Sequence, residues 1–134
     1  MIKEIYMMES LRKQLENSCY WDARVKVLEC NYFGDEVKLI YEDEDNENDI
    51  SYSFSGCYLI KIEHVMTYRK DKPSKELTVA QIPYFIQRID FDKMAIEGKD
   101  FLKFRINMYP IELLIVCEKI TIDKGKPHLQ GTQE

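Results

Sequence analysis

From Tyr20 onward the apolar side chains recur at every second position, and this period confines most of the chain to β-strands, because successive side chains on a strand point to opposite faces. Trp21, Ala23, Val25 and Val27 alternate with Asp22, Arg24 and Lys26. After Leu28 the apolar set moves to Leu28, Cys30 and Tyr32, a change of face that predicts a bulge or a twist. Gly34 and Asp35 mark a turn, and Val37, Leu39 and Tyr41 form the returning strand of a hairpin. Ile50, Tyr52 and Phe54 alternate with serines, and beyond Gly56 the stretch from Cys57 to Val65 sets Tyr58, Ile60 and Ile62 on one face. Tyr84 to Phe91 has strand character, and Leu102, Phe104, Ile106 and Met108 follow a turn at Gly98 and Lys99. Ile111 to Ile122 is apolar on both faces, as in the middle of a covered sheet.

One segment has a different period. Ile5, Met8, Leu11 and Leu15 recur every three to four residues, which predicts a helix over Lys3–Asn17 with Glu9 placed to pair with Lys13. Met66 to Glu76 is polar, contains Pro73 and reads as a loop; Thr78 and Gln81 have capping-box spacing for a single turn that Pro83 must stop. These segments predict an α+β domain, with an N-terminal helix followed by six to seven mostly antiparallel strands in a sheet or a small sandwich or barrel. A chain of 134 residues fits one domain, expected over residues 1–122, and the polar stretch 123–134 is expected to be a flexible tail.

The net charge of −5 is concentrated in one place. Glu42, Asp43, Glu44, Asp45, Glu47 and Asp49 bring six carboxylates into the run 42–49, and without them the chain stands at about +1. A nucleic-acid partner calls for a basic face, which the short cluster Arg69, Lys70, Lys72 and Lys75 does not supply. The start of the chain shows no secretory pattern, and no apolar run approaches the roughly 18 residues of a membrane-spanning helix, so a cytoplasmic location without a membrane partner is expected. Cys19, Cys30, Cys57 and Cys117 are dispersed and read as reduced core residues. With two histidines and no CxxC pair there is no recognisable metal-ligand set, and phosphate-cradle and hydrolase strings are missing, so no metal, cofactor or catalytic centre is expected.

The acidic run fails as a calcium loop, because Asn48 and Phe54 stand where glycine and glutamate are required. It reads either as a solvated turn that protects strand edges or as a surface that steers a basic protein partner through Glu42, Asp43, Glu44, Asp45, Glu47 and Asp49. A second reading is a small enzyme or ligand-binding domain with a pocket near His64 and Tyr58. A third is a homodimer joined through a sheet edge. Nine tyrosines supply core anchors, and tyrosine also suits interfaces.

The stretches LIYEDEDNENDISYSF, GCYLIKIEHV and MYPIELLIVCEKI, within a small acidic chain without enzyme motifs, resemble the immunity proteins that accompany bacterial polymorphic or contact-dependent toxins. The resemblance lies in pattern and covers most of residues 20 to 122. It implies a non-catalytic protein that neutralises a toxin by tight, stoichiometric binding; no residue role is carried over by motif.

Overall fold

The computed structural model describes residues 2–43, 48–64, 73–78 and 84–125, with residues 2–6 and Ser74 by backbone alone. Helix α1 (Ile2–Asn17) leads into β1 (Ala23–Asn31), β2 (Glu36–Glu42), β3 (Asp49–Ser55) and β4 (Leu59–His64). β5 (Phe85–Ile86), β6 (Arg88–Ile96), β7 (Lys99–Met108), β8 (Ile111–Cys117) and β9 (Lys119–Gly125) complete the order. The ladders are antiparallel and form two sheets, β5-β1-β2-β3-β9 and β4-β8-β7-β6.

The expected α+β domain of six to seven strands is corrected to a mostly β molecule, with one helix and nine strands in two open sheets among the described residues. The count differs because two of the seven expected strands each serve both sheets. Tyr84–Phe91 divides at Gln87 into β5, paired with β1, and β6, paired with β7. Ile111–Ile122 divides at Glu118 into β8, between β4 and β7, and β9, beside β3. The apolar parity records the second switch: Ile111, Leu113, Ile115 and Cys117 face the core, and then Ile120 and Ile122 pack against it. β9 also runs to Gly125, past the boundary expected at 122, and residues 126–134 lie outside the described set.

β3 and β4 bend between the sheets alongside β8 and β9, and Gly56 makes that corner. It holds φ +63°, and a Cβ there would stand 2.8 to 2.9 Å from the Glu118 side chain, so a residue without one is required. The Glu118 amide donates to the carbonyls of Ser55 and Gly56 and closes the corner.

The core lies between the inner faces, where Phe54 and Phe104 meet edge to face at 5.2 Å. Leu11 and Leu15 of α1 join it, and the Arg12 guanidinium lies 5.2 Å from the centre of the Phe91 ring. The partner of Glu9 is Arg12, one turn on at 3.8 Å, rather than Lys13. The helix end is held by a buried polar cluster. Tyr41 Oη donates to the Ser18 carbonyl at 2.7 Å, and Ser18 Oγ donates to the Leu15 carbonyl, which leaves it to accept from Tyr52 Oη at 2.6 Å. Burial raises the phenol of Tyr41 well above its usual range and pushes that of Tyr52 up to about 12.

Smaller expectations also shift. The bulge falls at Lys26, between the pairs Val25–Tyr41 and Val27–Ile40, two residues before the expected place. A 3-10 turn occupies Ser74–Glu76; of the turn expected from Thr78, residues 79–83 lie outside the described set. Trp21 is 53% exposed, and Cys30, expected in the core, faces solvent. No helix among the described residues is long and apolar enough to cross a membrane.

Candidate functional site

The acidic run links β2 to β3, and its described residues Glu42, Asp43 and Asp49 stand at the facing strand ends. Glu42 and Asp49 are direct cross-strand partners, and like charges so placed repel unless cations intervene. The flanking strands supply them. Lys26, the bulged residue of β1, donates to both carboxylate oxygens of Asp49 at 3.0 and 3.3 Å, with both side chains buried. Lys124 of β9 reaches buried Asp43 at 2.8 Å, and Arg24 of β1 stands 3.8 Å from Glu42. The Asp43 amide donates to the Asn48 carbonyl and closes the turn. Of the six carboxylates singled out in the sequence, Glu42, Asp43 and Asp49 thus meet cations of this chain, and Glu44, Asp45 and Glu47 lie outside the described residues.

Beside this turn opens a cavity of about 350 Å³, lined by Trp21, Asp22, Arg24, Glu42, Asp43 and Phe85 among others. Its shape follows from the short link between α1 and β1, where Cys19 and Asp22 both take left-handed backbone angles, φ 51° and 59°. Tyr20 turns inward and is buried while Trp21, stacked on it at 4.2 Å, faces out. The Arg24 guanidinium lies 4.9 Å from the centre of the ring of Phe85, its cross-strand partner on β5. Three carboxylates, one guanidinium and two aromatic rings therefore converge on one opening. Arg24 and Lys124 already answer Glu42 and Asp43, so within this lining Asp22 and the outward Trp21 ring are the groups that can attract a further guanidinium or ammonium group.

The other sequence candidates do not converge. Tyr58 precedes β4 and packs its exposed ring 5.5 Å from Phe101; His64 ends β4, exposed, opposite Ile111. Six residues of strand hold them roughly 20 Å apart, so the described residues bring them to no common pocket.

Sequence reasoning also missed the β1–β2 tip. Tyr32 and Phe33, at φ 55° and 59°, occupy turn positions that asparagine and glycine usually fill, and they are 69% and fully exposed. A left-handed backbone costs an ordinary residue about 1–2 kcal/mol, and neither ring recovers that by burial within the chain. The available signal was two aromatics immediately before Gly34-Asp35; alternation had placed Tyr32 in the strand.

A family model described as immunity protein PIM7 matches residues 7–124, from the first turns of α1 through β9, and so spans both sheets and the acidic turn. No curated protein matches the chain. With nearly the whole described fold inside the match, the chain belongs to the PIM7 family of immunity proteins.

Proposed function

We propose that this protein neutralises a protein toxin by stoichiometric, non-catalytic binding, and that the acidic-aromatic corner receives a basic side chain of that toxin. Membership of an immunity-protein family carries the first part. The second rests on the cavity beside the β2–β3 turn, where exposed Trp21 adjoins Asp22, Glu42 and Asp43. Tryptophan and charged anchors of this kind concentrate binding energy, while rim carboxylates mainly speed encounter with a basic surface. Glu44, Asp45 and Glu47 belong to this reading as further steering charges. Four cysteines outside any disulfide suit the reducing cytoplasm of the producing bacterium, where a toxin would be met.

The test is growth rescue and binding kinetics with a toxin-like protein sought among the products of the neighbouring genes. Wild type is expected to restore growth at a one-to-one ratio. Trp21→Ala should weaken binding by about 2 kcal/mol, roughly thirty-fold. Asp22→Asn, which keeps a residue tolerant of the left-handed backbone, should slow association most at low salt. Absence of rescue by wild type would refute neutralisation; rescue with both variants at wild-type affinity would leave that function standing and remove the corner from it.

A further inference from the structure

We propose that the free edge of β4 is a self-association site, at which two copies of this chain pair β4 against β4, antiparallel, about a twofold axis through Ile62. β4 is the outermost strand of its sheet: β8 lies on one side, and no strand among the described residues lies on the other. Leu59 and Ile62 remain 43% and 41% exposed, and Lys61 and Glu63 carry the only charged carboxylate and ammonium groups of the strand. Open edges are commonly blocked by proline, a bulge, charged side chains or a covering segment. β4 carries no proline and no bulge, its register with β8 being unbroken from Leu59 to His64, and its two charges are opposite and two residues apart, so that about a twofold axis they attract rather than repel.

That spacing selects a register. With Ile62 opposite its own copy, Lys61 falls opposite Glu63 of the second copy, Glu63 opposite Lys61, and Ile60 opposite His64. Sliding by two residues in one direction sets Lys61 against Lys61, and in the other Glu63 against Glu63. Opposite charges across an antiparallel pair stabilise it and like charges destabilise it, so the Ile62-centred register is favoured twice, once at each symmetry-related pair. The Lys61–Glu63 pair within one chain, 3.7 Å apart with both side chains more than half exposed, is weak enough to exchange for these contacts.

The β1–β2 tip supplies an independent observation. A Cβ at Gly34 would lie 3.7 Å from Ile60 Cδ1, so the tip stands against the start of this edge, and its neighbours Tyr32 and Phe33 are held outward in left-handed conformations. In the proposed register Ile60 lies opposite His64 of the second copy, and the tip of each chain flanks the far end of the other's β4. The exposed aromatics, the exposed aliphatics and the open edge then share one seam. A seam this short belongs to the class of weak, concentration-dependent associations. The acidic corner stays free, because the tip and the β2–β3 turn are at opposite ends of β2.

Sedimentation of the full chain from low to high micromolar concentration tests this without any toxin. The mass is expected to rise from 16.0 kDa toward twice that value. Lys61→Glu and Glu63→Lys each set like charges opposite at both pairs and should each weaken dimerisation about tenfold or more. An equimolar mixture of these two variants should form a heterodimer, and the doubly swapped chain should dimerise like wild type. Circular dichroism should show each variant folded, since both side chains are exposed. A wild type that stays at 16.0 kDa across the range, single variants that dimerise unchanged, or a mixture that fails to recover dimer would overturn the proposal.

Discussion

Four carboxylates or thiols with the same formula behave differently here according to which neighbours the fold gives them. Asp49 is buried against Lys26, whereas Asp22 faces solvent at the cavity mouth. Cys30 is exposed, whereas Cys117 is fully buried and its thiol is pushed up from 9.0 to about 12, chiefly because burial penalises the thiolate. Burial likewise raises the Tyr52 phenol from 10.0 to about 12. The folded state therefore keeps protons that the unfolded chain releases first, so stability is whole below pH 9.0 and falls as pH climbs toward 12. Cys117 should contribute part of this loss, because its buried thiolate is disfavoured in the folded state. Chemical unfolding at neutral pH and again between 9 and 12 measures the loss, and Cys117→Ser should reduce the alkaline component. At neutral pH a thiol reagent should label Cys30 first and reach Cys117 only with unfolding; early labelling of Cys117 would show that its shelter in β8 opens readily.

At the scale of elements the corners matter more than the strands they join. Gly56→Ala adds a Cβ within 2.9 Å of Glu118 atoms, including its Cβ, and also strains a backbone at φ +63°. It should destabilise the protein by about 2–3 kcal/mol. Gly98→Ala has a similar left-handed φ of +83° in the β6–β7 turn but meets nothing within 4 Å, so it should cost only about 1 kcal/mol. Urea midpoints of the two variants separate the crowding at the sheet-to-sheet corner from backbone strain alone, and equal midpoints would mean that Glu118 moves aside at no cost. The period-two pattern made the strands themselves legible. The parity change after Leu28 announced irregularity, whereas the one between Cys117 and Ile120 read as a single strand apolar on both faces, because a switch of sheet and a two-faced strand leave the same mark in one dimension.

For the whole molecule, β9 completes the five-stranded sheet and carries a counterion to the acidic turn. Truncation after Gly125 keeps every described contact, and a change in stability within about 0.5 kcal/mol is expected. Truncation after Asp123 also removes Lys124, leaves buried Asp43 without its 2.8 Å cation and shortens the pairing of β9 with Asp49 and Ile50. It should lower stability by a further 1–3 kcal/mol, about the cost of weakening a buried charge-assisted contact. Melting temperatures of the two truncated forms check this, and identical values would mean that Asp43 is satisfied without Lys124.

The sequence by itself determined the helix, the segments that become strands and most of the core, because each depends on a local period of apolar side chains that burial enforces, and short connections gave the strands their antiparallel sense. It also marked where negative charge accumulates. Tertiary structure alone decided that two continuous apolar runs would each serve two sheets, and that Lys26, Arg24 and Lys124 would meet Asp49, Glu42 and Asp43 from neighbouring strands. It also set Trp21 at a cavity mouth and left Tyr32 and Phe33 exposed beside the β4 edge. Periodicity reports which way a side chain points from its own strand; what stands opposite it depends on register and on the sheet its neighbours join, and those are fixed by pairings between residues far apart in the chain.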